Sequence, residues 1–259
     1  MERDFAGRRN IDPRGNLENM LDQLQATEPL GKVFDAMVLA MAALAEPGEA
    51  GNHIVRTQHY VRALATRLKT VPAYAQAMTD EFVATLFRAA PLHDVGNAGV
   101  PDRILLKPGA LSSDELDIMK THPTIGRKTI ERIQQTAGVP LAFLDVARDI
   151  AYSHQERWDG SGYPRGLAGD RIPLAARVMA IADSYDALTT RRVYREGVSH
   201  DVAVQRMFQQ RSTHFDPDMV DAFIQIQDEF VEIAKRYTDT ESDFEAKIDY
   251  IVKAIAETP

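Results

Sequence analysis

The chain of 259 residues contains no cysteine. That absence excludes a disulfide framework and any thiolate site, so a bound metal must be held by imidazole nitrogen and carboxylate oxygen. Long apolar runs are missing too. The longest nearly unbroken one, Met37–Ala45, falls far short of the roughly 20 residues that a membrane-crossing helix needs. The first residues, Met1-Glu2-Arg3-Asp4, are charged and lead into no apolar signal region. Together these absences predict a soluble, cytoplasmic protein with no membrane insertion. An excess of basic residues is lacking as well: the formal net charge is -8, which argues against a nucleic-acid polymer as partner. A small phosphate ligand stays compatible with that charge, because bound cations invert the local field.

What is present is helical periodicity. Ile54, Val61, Leu64, Ala65 and Leu68, and later Val220, Phe223, Ile224, Phe230, Ile233 and Tyr237, recur at three- and four-residue spacing. Ser112 with Glu115 has capping-box spacing, and Asp216-Pro217 offers an N-cap followed by proline at the first helical position. An all-α chain follows, with helices near 16–26, 30–46, 52–69, 79–94, 112–120, 121–136, 140–154, 173–188, 199–210, 216–236 and 241–256. Val95–Leu111 and Gln155–Ile172 break the pattern with clustered glycine and proline, and long loops inside a compact domain are usually functional.

Four histidines, His53, His93, His122 and His154, sit beside carboxylates or at the edges of those loops. Glu49 lies four residues before His53 and would share a helix face with it. Asp183 lies in the apolar run Val178–Ala182, where a carboxylate needs a cation or hydrogen-bond partners. Each residue alone is compatible with a hydrogen-bonded imidazole or a solvated acid. Jointly they resemble the inward-facing carboxylates and imidazoles of di-metal helical proteins, with a nitrogen and oxygen donor set suited to manganese, iron or zinc.

The ordered motifs carry a more specific resemblance. His93-Asp94-Val95-Gly96, Gly99-Val100-Pro101-Asp102, Met119-Lys120-Thr121-His122-Pro123, Glu156-Arg157-Trp158-Asp159-Gly160-Ser161-Gly162-Tyr163-Pro164 and Ala180–Leu188 resemble the HD-GYP family over roughly residues 49–237. The resemblance implies an HD-superfamily helical bundle with extra C-terminal helices. It divides the chain into N-terminal helices (1–48) that link or regulate, the HD-GYP domain (49–237) and a C-terminal helix (238–259). It also implies two or three divalent transition-metal ions, iron or manganese, held by Glu49, His53, His93, Asp94, His122, His154 and Asp183, with His93 and Asp94 at the catalytic centre. The implied substrate is a cyclic dinucleotide, cyclic di-GMP, opened to linear pGpG and sometimes on to GMP in bacterial signalling. Substrate contacts carried over are Gly162, Tyr163, Asp186, Arg192 and Arg195. The terminal helices are candidates for a homodimer or signalling-partner contact, beside packing on their own domain.

Two positions depart from the family pattern. Asn97 stands where the family usually has lysine, and Gln155 where it usually has a second histidine. A neutral amide supplies no positive charge to a phosphate, and a glutamine oxygen is a weaker ligand than imidazole. They leave open an alternative in which the domain is catalytically degenerate and regulates by binding a cyclic dinucleotide or a protein.

Overall fold

Apolar residues spaced for one helix face do fold as helices, and these helices bury that face. The computed structural model describes residues 13–47, 51–191 and 196–256. Along the chain run α1 (Pro13–Ala45), α2 (Gly51–Leu68), α3 (Asp80–Ala89), α4 (Asp102–Leu105), α5 (Ser113–Met119), α6 (His122–Ala137) and α7 (Ala142–Ser153), followed by α8 (Leu174–Thr189), α9 (His200–Gln209), α10 (Pro217–Gln225), α11 (Gln227–Arg236) and α12 (Glu241–Ala256). No named strand occurs among the described residues, only the isolated bridges Asp159–Ala168 and Arg211–Phe215. The bundle is therefore all-α, and among the described residues no helix is long and apolar enough to cross a membrane.

Two compact units divide the chain, one ending at Met37 and one running from Val38 onward. The described part of the first is helical throughout. In the second, α8 is the central element: Ala175, Ala176, Val178, Met179, Ala180, Ile181, Ala182 and Tyr185 are all buried, so the helix is covered nearly all round. Helix α2 lays Tyr60, Val61, Leu64, Ala65 and Leu68 into the same core. Tyr60 stacks on Phe230 at 4.5 Å, and Tyr185 meets Phe230 and Phe223 edge-on, which fixes α10 and α11 against α2 and α8.

Several helix ends follow from local chemistry. Ser112 and Glu115 form the expected capping box, Asp216 accepts from Asp218 N at the start of α10, and Gly138 closes α6 with φ +67°. Three expectations need correction. The helices expected at 16–26 and 30–46 are one, because α1 continues through Pro29; proline forfeits a hydrogen bond there without stopping the helix. The helix expected over 216–236 breaks at Ile226, which takes φ -122° between α10 and α11. The one expected over 79–94 ends at Ala89, after which Ala90–Leu92 tightens into a 3-10 turn with Pro91 inside it.

Candidate metal centre

Helix ends deliver the ligands. His53 lies in the first turns of α2, His93 follows the 3-10 turn Ala90–Leu92, His122 opens α6, and His154 caps the end of α7. The imidazoles form a row, with ring centroids 5.6 Å apart from His53 to His93, 5.5 Å from His93 to His154 and 5.6 Å from His154 to His122. All four are buried.

Each Nδ1 is already committed. His93 Nδ1 donates to Ala90 O at 3.0 Å, His122 Nδ1 to Met119 O at 2.8 Å, and His154 Nδ1 to Ile150 O at 3.1 Å. His53 Nδ1 donates to Asp186 Oδ2 at 2.7 Å. A carbonyl or carboxylate can only accept, so the proton is on Nδ1 and the Nε2 lone pair points the other way. The Nε2 atoms of His93, His122 and His154 are buried and find no hydrogen-bond partner, and neither does Asp94 Oδ1. Buried lone pairs gathered in this way are costly without a cation or a proton among them.

Asp94 stands between two groups of donors. Its Oδ1 lies 3.4 Å from His122 Nε2 and 3.2 Å from His154 Nε2, while Oδ2 lies 4.0 Å from His93 Nε2. Asp94, His122 and His154 thus bring one ligand atom each within 4.8 Å of one another, and Glu46, His53 and His93 do the same. The Asp94 side chain is 22% exposed overall, but the oxygen facing the histidines is covered. Burial by itself would raise this carboxyl; His93, His154 and His122 outweigh it and hold Asp94 well below the usual carboxylate range. Burial pushes His93 and His122 down, against the opposing charge of Asp94. At His154 burial again acts downward, but Asp94 and Asp183 prevail and the pKa is raised. Imidazole nitrogens and a carboxylate gathered into two clusters form a nitrogen and oxygen donor set consistent with a pair of divalent transition ions.

The family profile described as an HD domain matches residues 40–219. The chain belongs to the HD-domain family. It is 48% identical to a "Probable cyclic di-GMP phosphodiesterase" of Vibrio cholerae, over 85% of this chain and 50% of that protein. It is 34% identical to the "3'3'-cGAMP-specific phosphodiesterase 2" of the same organism, over 84% of this chain and 38% of that protein. A Vibrio cholerae cyclic GMP-AMP specific phosphodiesterase of known structure shares the fold, with a TM-score of 0.51 at 15% identity, over 86% of this chain and 58% of that one. The chain spans about half the length, or less, of the curated relatives it matches.

Within this HD-domain chain the expected site residues fall into three groups. His53, His93, Asp94, His122 and His154 are brought together as described. Tyr163 joins them, with its ring 6.2 Å from that of His122 and the Lys120 ammonium 5.9 Å from its ring centroid; burial first, then the charges of Asp94 and Asp183, push its hydroxyl pKa up. Asp183, on α8, acts on His93, His122 and His154 through its charge but is in neither donor cluster among the described residues. Glu49, Arg192 and Arg195 lie outside the described residues.

Asp186 and Gly162 have protein neighbours of their own. Asp186 was expected at the substrate, yet it is buried and both its oxygens are occupied: Oδ1 accepts from Arg56 Nε at 2.6 Å, and Oδ2 accepts from His53, from Arg56 Nη2 at 3.1 Å and from Thr190 at 3.2 Å. Both oxygens face protein donors, which is the geometry of an orienting partner for His53. Gly162 has a packing reason: a Cβ there would sit 2.3 Å from Arg157 N.

Sequence reasoning missed Glu46. It is 4% exposed, with Oε2 3.5 Å from His53 Nε2. The signal was there to be read. Glu46 N still bonds to Ala42 O, so its side chain continues the buried stripe of Val38, Ala42 and Ala45, and an acid on such a stripe needs a partner.

Proposed function

We propose that this chain is a metal-dependent phosphodiesterase that hydrolyses cyclic di-GMP to linear pGpG, with two iron or manganese ions at the Glu46/His53/His93 and Asp94/His122/His154 positions. The observation that carries the reading is the set of imidazoles His93, His122 and His154, whose Nδ1 atoms are committed to backbone carbonyls, leaving buried Nε2 lone pairs around Asp94. Ions held there would lower the pKa of water and offset charge on a phosphate. The protein's own part is positional. His93 and Asp94 share one turn and tie the two donor clusters together. Tyr163 walls the centre beside His122 and offers a flat apolar face to a base, its hydroxyl remaining protonated. Arg192 and Arg195, by family resemblance, hold the phosphates through planar donors. The likeness to the cyclic di-GMP relative, at 48% identity, favours that substrate over 3'3'-cGAMP. The N-terminal residues and α12 are the parts left for input or for a second copy of the chain.

A second reading, a cyclic-dinucleotide-binding regulator without turnover, is favoured by Asn97 and Gln155 alone. One experiment separates the two: anaerobically reconstituted protein incubated with cyclic di-GMP and, in parallel, with 3'3'-cGAMP, followed by chromatography of linear products. Metal-dependent release of pGpG supports the enzyme. Tight binding with no product, at full metal loading, supports the regulator. Less than about one ion per chain after reconstitution sinks both the metal centre and the activity.

A further inference from the structure

Asn97 is not a gap left by a missing lysine. It sits in the 3-10 turn Val95–Gly99, whose N-cap is Asp94. That turn is pressed onto the start of α6: a Cβ on Gly96 would lie 2.0 Å from His122 O and 2.6 Å from Gly126 N. The backbone is held further by Asn97 N donating to Asp94 O at 2.9 Å and Val100 N donating to Asn97 O at 2.9 Å. On this fixed turn the Asn97 side chain is 5% exposed, and its Nδ2 donates to Asp94 Oδ2 at 3.0 Å. The amide orientation is dictated by its partner, since an ionised carboxylate accepts and cannot donate.

We propose that Asn97 is a positioning residue that locks the bridging carboxylate of Asp94, holding Oδ2 toward His93 and so keeping Oδ1 on His122 and His154. The proposal rests on the two-ion reading above. A carboxylate hinged at Cβ can turn both oxygens toward one donor cluster, where it would serve one ion well and the other not at all. Asn97 occupies one lone pair of Oδ2 and blocks that rotation, so the carboxylate is shared before any ion arrives. Hydrogen-bonded partners of metal ligands act in this way, and their loss typically costs about 10–100-fold in metal affinity or activity. A buried Asn97 Oδ1 with no hydrogen-bond partner fits a residue kept for its donor and not for its acceptor.

The test is stepwise Mn2+ titration of the full chain after chelator stripping, read by calorimetry and by electron paramagnetic resonance, which distinguishes isolated from paired Mn2+. Asn97→Leu keeps the shape and removes the donor. Asn97→Ser is a smaller variant that folds more safely, with its hydroxyl one bond short of Asp94. In either variant one of two binding steps should weaken by about 10–100-fold, and the isolated-ion signal should persist to higher loading than in the parent. Both steps unchanged in a folded variant would overturn the proposal. So would a parallel weakening of both steps together with a lowered melting temperature, the signature of a residue that only packs. A parent that binds fewer than two ions would instead remove the two-ion reading beneath it.

Discussion

Asp186→Asn is the substitution whose consequences the structure determines most fully. The carboxylate is buried, accepts from His53 Nδ1 at 2.7 Å, and makes a two-oxygen contact with Arg56, whose side chain is only 4% exposed. Removing one partner of a buried pair usually costs about 3–5 kcal/mol, because a charge is left behind without compensation. Arg56 keeps Asp239 at 3.0 Å and Tyr237 O at 2.9 Å, so the expected loss is nearer 2–4 kcal/mol. The pH dependence gives an independent figure. Burial would raise the Asp186 carboxyl, but His53 and Arg56 outweigh it and bring it from 3.8 down to about 2. A group whose pKa is depressed by folding contributes stability above its unfolded value, and that stability is lost as pH falls toward the folded value. The window is therefore pH 4 down to about 2, and the contribution is on the order of 2 kcal/mol. Urea denaturation of chelator-treated parent and variant, from pH 7 to pH 2.5, measures both quantities. Asp186→Asn should be less stable at pH 7, and its stability should fall less steeply with acid than the parent's. A loss under about 1 kcal/mol, or an acid limb parallel to the parent's, would refute the reasoning.

Other outcomes follow from the same geometry. Asp94→Ala should abolish retention of both ions and all hydrolysis, since Asp94 faces both donor clusters; elemental analysis and product chromatography check it, and parental activity in this variant would contradict the assignment. Glu46→Gln should weaken the ion nearest His53 by about 10–100-fold while sparing the other, which stepwise Mn2+ titration resolves; an unchanged isotherm returns that role to Glu49. Metal binding should also depend on pH. His154 is raised and must lose its proton to coordinate, so apparent affinity should climb about tenfold per pH unit up to the pKa of His154 and level off above it, with one proton released per chain on the acid side; a flat profile would mean that His154 is not a ligand.

Much of this arrangement could be read in advance because it is local. Helix periodicity exposes the core faces, and loop edges expose His53, His93, His122 and His154 as a set. What could not be read depends on contacts distant in sequence. Asp186 reaches across 133 residues to His53 and 130 to Arg56, and nothing in its surrounding apolar run distinguishes an orienting acid from one that meets substrate. Glu46 was legible but passed over: the i, i+4 spacing drew attention to Glu49, whereas Glu46 continues the buried stripe of α1 just past the helix end. Asn97 read as a loss because a family pattern records which residue is missing and not which bond the replacement makes.

The way the four histidines are oriented divides the centre unequally. His93, His122 and His154 each take their Nδ1 acceptor from their own turn, three or four residues back. Those acceptors lie in the same local turns as the imidazoles, and Ala90 O and Ile150 O also accept the backbone N–H of His93 and His154. His53 instead donates from Nδ1 to Asp186, which is itself held by Arg56, and Arg56 is tied in turn to Tyr237 O and Asp239 in the connection from α11 to α12. The imidazoles of the Asp94/His122/His154 cluster are thus oriented by their own turns, while the orientation of His53 depends on where the C-terminal connection lies. A disturbance of that connection would reach His53 through a continuous chain of hydrogen bonds, from Tyr237 O and Asp239 through Arg56 to Asp186.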